Sequence, residues 1–103
     1  MRVTASVSGV SIRLTFERLA HIQRRHPEFL AEGDWINETV SAPDYVQEGD
    51  SGTLIAIRHY AKTPLTEKFC AVVYKEVDRS DGFVVTAYFS RQPSVVRRIV
   101  WKR

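Results

Sequence analysis

Phe16, Leu19, Ile22 and Gln23 fall on one stripe of a helical projection, and His26 joins it about 20° from Leu19. Thr15 stands where a side-chain oxygen can cap the first turn, so the pattern predicts a helix over 15–26. Pro27 pushes its predecessor out of the helical region and makes His26 the end of that helix. Asp34 is positioned to cap a second, shorter helix over 35–42, which Pro43 closes. Beyond it the period changes from helical to alternating. Residues 44–48 read as a short strand, 53–61, 68–78 and 82–90 as three strong ones, and 94–102 as a further edge strand. The expectation is an α+β fold, two N-terminal helices packed on a four- or five-stranded antiparallel meander, forming a single domain over 1–103.

Asp81-Gly82 sets the strand register. A two-residue type I′ turn there pairs Ser80 with Phe83, and hence Val77 with Thr86 and Lys75 with Tyr88. A four-residue loop would keep the same residues on each face; an odd loop would exchange them. One face then carries Val73, Lys75, Val77, Thr86, Tyr88 and Ser90. The other carries Cys70, Val72, Tyr74, Val85, Ala87 and Phe89, a natural core beneath the helices. The first face is either the solvated side of a small sheet or a platform for a phosphate and a base. In the preceding strand, Ile55 and Ile57 look like core, which puts Arg58 and Tyr60 beside Lys75. The 62–67 loop leaves that register open, so His59 stands both as a cleft residue and as a structural one.

Composition narrows the classes. The chain has 103 residues, enough for one core and one domain, with 44% apolar and 26% charged residues. No apolar run approaches the ~20 residues of a membrane-spanning helix, and the opening MRVTASVSGV lacks the apolar centre of a secretory signal, so a cytoplasmic protein is expected. Cys70, the single cysteine, sits in the apolar FCAVV and reads as a small buried hydrophobe. The net charge is only +3, but residues 91–103 hold five Lys/Arg and no acid. Such a stretch would attract phosphates if it reached one face; a solvated basic strand accounts for it equally.

HIQRRHPEF, residues 21–29, concentrates two histidines and two arginines ahead of a proline. His21 and His26 are about 140° apart around the helix and do not share a site, so no metal pair is expected. His21 lies among Glu17, Arg24 and Arg25 on the solvated side. His26 stands at a helix C-terminus, where the dipole favours the imidazolium, and at the core margin, where burial opposes it. It is a candidate for taking or giving a proton, with Arg25 beside it to hold a phosphate. A histidine bonding the last free carbonyls is the structural alternative.

These features resemble, in their order, the phage-associated nuclease branch of the barnase–EndoU–colicin–RelE superfamily. The matching pieces are H-I-x-x-R-H-P (His21 to Pro27), P-D-Y-V (Pro43 to Val46), R-H-Y (Arg58 to Tyr60), V-V-Y-K (Val72 to Lys75) and V-V-T-A-Y-F (Val84 to Phe89), spanning roughly residues 11 to 92. The resemblance implies a metal-independent, toxin-like endoribonuclease of phage or mobile-element origin. It would cut RNA by attack of the ribose 2′-hydroxyl, leaving a 2′,3′-cyclic phosphate. Carried over by position, His26 is base or acid, and Arg58 and Lys75, with Arg25, stabilise phosphate charge. Thr86, Tyr88 and Ser90 orient the phosphate or assist proton transfer, and His21 and His59 contribute to RNA binding. No cofactor and no metal are implied; the partners are RNA, with tRNA and mRNA as candidates, and a cognate inhibitor protein. A non-catalytic nucleic-acid- or protein-binding domain of the same fold, and a purely structural domain, are the competing readings.

Overall fold

Ile12 and Leu14 are buried on either side of part-exposed Arg13, an alternation that makes a strand where the sequence reading assigns none. In the computed structural model, which describes residues 1–66 and 68–103, this strand (β2, Ser11–Leu14) pairs antiparallel with β1 (Arg2–Ala5). Gly9, at φ 80°, makes the turn between them, its N–H donating to the Ser6 carbonyl. There follow α1 (Phe16–Arg25), a 3-10 turn (Pro27–Leu30), α2 (Trp35–Ser41), β3 (Tyr45–Glu48), β4 (Leu54–His59), β5 (Phe69–Glu76), β6 (Gly82–Ser90) and β7 (Ile99–Lys102). The fold is α+β. Its sheet has seven strands in the order β1-β2-β6-β5-β4-β3-β7, not four or five, and the excess is the N-terminal hairpin.

Thr15 caps α1 by accepting the Arg18 N–H, and the His26 N–H donates to the Ile22 carbonyl at the other end. The apolar stripe is only partly covered. Ile22 is fully buried, whereas Phe16 is 76% exposed at the rim of an apolar groove with Leu14, Leu19, Phe29 and Trp35. Asp34 occupies the N-cap of α2, but its carboxylate accepts from Arg2 and Asn37 side chains instead of a backbone N–H. Thr4 also donates to Asn37, which fastens α2 to β1.

Ile22, Phe29, Ile36 and Val40 share one buried cluster with Ile12, Val46, Ala56, Cys70, Val72, Tyr74, Val84, Ala87 and Phe89. Burial of each large side chain contributes roughly 1.5–3 kcal/mol, so this cluster is the main source of stability. A second cluster, Ile55, Ile57 and Ala71 with Tyr45, Phe69, Val73 and Tyr88, occupies the opposite face of the sheet. That face is not simply solvated. Residues 91–98, which join β6 to β7 past three intervening strands, run over it as a strap. Gln47 Nε2 donates to the Ser94 carbonyl at 2.7 Å, and Arg97 pairs with Asp50 at 3.1 Å.

The β5–β6 register differs from the two-residue expectation. Glu76 faces Gly82, Lys75 faces Phe83 and Tyr74 faces Val84, so the turn comprises residues 77–81. Asp78 builds this longer turn by accepting the N–H and hydroxyl of Ser80, while Arg13 binds the Asp81 carboxylate. Gly82 does not take the positive φ a type I′ turn demands. The odd turn would exchange the faces, but a bulge between Tyr74–Val84 and Val73–Thr86 exchanges them back. Thr86, Tyr88 and Ser90 therefore share a face with Val73 as expected, whereas Val84, not Val85, enters the core.

Lys75 does not sit beside Tyr88. Tyr88 faces Ala71, four residues along β5 from Lys75, a separation of about 13 Å at strand rise. The face assignment of β4 is likewise reversed. Ile55, Ile57 and His59 lie under the strap side, while Ala56, Arg58 and Tyr60 turn towards α2. Both sides of β4 are covered, so burial of the isoleucines could not by itself identify the side beneath the helices.

Candidate functional site

β2 pairs with β6 at Gly82 and Phe83, and α1 packs against β6. The C-terminal end of α1 thus reaches the margin where Tyr88 leaves the outer face. The His26 and Tyr88 rings stand 6.4 Å apart, centroid to centroid, tilted by 40°. Pro27 starts the 3-10 turn immediately after His26, and the turn brings Glu28 back so that Oε1 lies 3.4 Å from His26 Nδ1. The Glu28 side chain is only 13% exposed, while that of His26 is 33% exposed. Among the described residues no hydrogen bond to His26 Nε2 is formed, so one ring nitrogen faces a carboxylate while a third of the side chain stays exposed.

Thr86 and Ser90 flank Tyr88 on the same face of β6, in line with Val73 and Phe69 of β5. The Ser90 hydroxyl donates to the Gln92 carbonyl, which holds the start of the strap. Arg25, the last residue of α1, is exposed and has no partner among the described residues. His59 lies on this face at the end of β4, edge-on to the Phe69 ring at 5.1 Å, with its N–H bound by the Asp44 carboxylate.

Three of the expected site residues lie elsewhere. His21 lines a shallow, solvent-facing depression with Thr15, Glu17, Arg18 and Arg24. Lys75 is displaced along β5 by the register just described. Arg58 is engaged on the other face: Nη1 donates to the Ala42 carbonyl at 2.6 Å, Nε is 3.6 Å from Glu38, and the guanidinium lies over the Tyr60 ring. It ties β4 to the end of α2 and is not at the margin.

Other residues join the site without having been singled out. Glu28 had a readable signal in the H-P-E order, since a proline-started turn returns the second residue towards the first. Gln47, Gln92 and Arg97 gave none, because only the path of the strap brings them to Tyr88. Together with Ile55, Ile57, Ala71 and Ser90 they line a cleft of about 120 Å³.

The electrostatics distinguish the margin from the strap. A hydrogen bond from Arg97 and its positive charge hold the Asp50 carboxyl below its ordinary range. Asp50 in turn raises the Arg97 pKa, first by that hydrogen bond and then by its charge, with a smaller contribution from Tyr88. The Arg97 guanidinium is thus paired with Asp50 at the surface. Cys70 is buried, and desolvation pushes its thiol up to about 12, as suits an inert core residue. Among the described residues no three His, Cys, Asp or Glu side chains gather as a metal site would require. Among the described residues no helix is long and apolar enough to cross a membrane. Comparisons with protein-family models, with curated proteins and with solved structures returned no match to this chain.

Proposed function

We propose that this chain is a metal-independent endoribonuclease of the barnase–EndoU–colicin–RelE type, acting at the His26–Tyr88 margin. The observation that carries the reading is the approach of the part-exposed His26 ring to Tyr88, with Glu28 on Nδ1. A carboxylate on one imidazole nitrogen fixes the ring and supports positive charge when the other accepts a proton. The order of two helices followed by the β3–β4–β5–β6 meander agrees with the family resemblance.

In the proposed reaction His26 Nε2 takes the proton of the ribose 2′-hydroxyl as its oxygen attacks the adjacent phosphorus. The bond to the 5′-oxygen breaks, and that oxygen leaves with a proton from the Tyr88 hydroxyl. The products are a 2′,3′-cyclic phosphate and a 5′-hydroxyl end. Arg25 supplies charge to the non-bridging oxygens, and Thr86 and Ser90 supply hydroxyl donors. His59, further along the same face, contacts the RNA strand. The role is that of a cytoplasmic, toxin-like element restrained by an inhibitor protein, with tRNA or mRNA as substrate.

Wild type, His26→Ala and Tyr88→Phe should be incubated with total RNA in EDTA and the new ends analysed. Cyclic-phosphate ends made by wild type and lost in both variants support the reading; no cleavage by wild type in any RNA class overturns it. A non-catalytic nucleic-acid-binding domain is the second reading, favoured by the removal of Arg58 and Lys75 from the margin. Retarded RNA mobility without new ends would select it.

A further inference from the structure

The cleft beneath the strap has the chemistry of a base pocket, not of a phosphate pocket. Its floor is Ile55, Ile57 and Ala71, which are buried at 5%, 2% and 1% exposure, and one wall is the phenol ring of Tyr88. Amides stand at its rim. Gln47 is only 3% exposed and spends one N–H on the Ser94 carbonyl, while its amide oxygen accepts from none of the described residues. Arg97 is the cleft's cation, and Asp50 holds it in a two-point ion pair. A phosphate entering here would meet apolar side chains and a guanidinium that already holds the Asp50 carboxylate. A flat, neutral ring with polar edges meets an aromatic wall, an apolar floor and an unoccupied amide acceptor.

Tyr88 belongs to both places: it borders this cleft and approaches His26. A strand whose phosphate rests at His26 would therefore have an adjoining base within reach of the cleft. The pocket is also pre-formed, because the strap is pinned by Gln47 to Ser94, by Arg97 to Asp50 and by the Glu48 N–H to the Arg98 carbonyl. We infer that the cleft roofed by residues 91–98 receives a single unstacked nucleobase of the RNA strand, set against Tyr88 and read by the Gln47 amide. This rests on the ribonuclease reading for its position and deepens it by naming the group that fixes where the strand is held. Recognition of a splayed-out base by an aromatic face and a polar edge is the usual way single-stranded RNA is read.

The test is a methyl-detected NMR titration of the whole chain with AMP, GMP, CMP and UMP, and with ribose 5-phosphate as the baseless control. At least one nucleotide should shift the methyl signals of Ile55, Ile57 and Ala71 saturably, and ribose 5-phosphate should leave them in place. Ala71→Leu fills the floor and should weaken nucleotide binding by about tenfold or more. Gln47→Leu should reduce the differences among the four nucleotides. If no nucleotide moves the three methyl groups, or if ribose 5-phosphate moves them equally, the inference is wrong. The wild-type titration decides this even if a variant does not fold. Nucleotide binding in the cleft without RNA cleavage would leave the base pocket standing and remove the enzyme. Cleavage with silent methyl signals would do the reverse.

Discussion

Glu28 holds a carboxylate oxygen 3.4 Å from His26 Nδ1, and the residue between them is the proline that ends α1. The pair is built by the backbone, since the 3-10 turn that Pro27 begins leaves Glu28 little choice of direction. If His26 is the proton-transfer group, Glu28 is a positioning residue. Glu28→Gln should lower kcat while leaving KM for RNA nearly unchanged. The loss should be smaller than that of His26→Ala, which forfeits the about 10²–10⁴-fold supplied by general acid–base catalysis. Thermal unfolding checks the role: a fall in kcat at unchanged Tm marks Glu28 as positioning the ring, whereas a packing role for Glu28 would lower Tm and activity together.

Arg58 predicts the opposite behaviour. Its guanidinium bonds the carbonyl that closes α2 and lies 3.6 Å from Glu38, so Arg58→Ala exposes the end of that helix and leaves the carbonyl unpaired. The lost charge-assisted bond is worth about 1.5–3 kcal/mol. A domain of this length should lose roughly 4–8 °C in Tm per kcal/mol, readable by thermal unfolding. Cleavage per folded molecule should be retained in both Arg58→Ala and Lys75→Ala. A large drop in turnover at unchanged Tm would return either residue to the site.

Alkaline pH should weaken the fold. Burial pushes the Cys70 thiol from 9.0 up to about 12. It also raises the Tyr60 and Tyr74 phenols above 10.0, with further contributions from Glu38 at Tyr60 and Glu76 at Tyr74. Each group is neutral when protonated, and the unfolded chain releases its protons first. The stabilisation is thus complete below the unfolded pKa values and declines as pH rises through 9.0 for the thiol and 10.0 for the phenols. Urea midpoints should be flat from about pH 7 to 8.5 and fall steadily above it. Iodoacetamide should label Cys70 only as the chain unfolds, and rapid labelling of native protein would contradict this burial.

The elements legible in the sequence are those whose own residues decide them. The Thr15 cap, the end of α1 at His26 and the strands around Ile55–Ile57 and Cys70–Tyr74 follow from local period and turn chemistry. β1 and β2 were missed because each has only four residues and gains its burial from distant partners, β2 by a parallel pairing with Gly82 and Phe83. The place of His26 at the end of α1 and of Tyr88 on the outer face was legible, whereas the side on which Arg58 lies was not. The same alternation that sets Arg58 apart from Ile57 does not say which face the helices cover. Asp81-Gly82 misled for a different reason: the glycine there answers a close approach, not a turn conformation.

A Cβ at Gly82 would meet the Lys75 carbonyl, the Ile12 side chain at 2.6 Å and the Glu76 Cα. Gly82 is where β6 is flanked at once by β5 and by the parallel strand β2, facing Glu76 on one side and Ile12 on the other. Gly82→Ala leaves φ unstrained, since this glycine is not in the left-handed region, so its whole cost is steric. Overpacking of this kind costs about 1–3 kcal/mol, and two outcomes are distinguishable. If β2 yields, amide exchange should accelerate in residues 2–5 and 11–14 while β4 and β5 stay protected. If β5 yields, exchange should rise along 69–76 and the His26–Tyr88 margin should lose activity with it. The clash with Ile12 lies at the end of a side chain and can be relieved by its rotation, whereas the Lys75 carbonyl and the Glu76 Cα are backbone. The β5 end should therefore give way first. Gly82→Ala with unaltered exchange in both regions would mean that Gly82 is not the seat of the N-terminal hairpin.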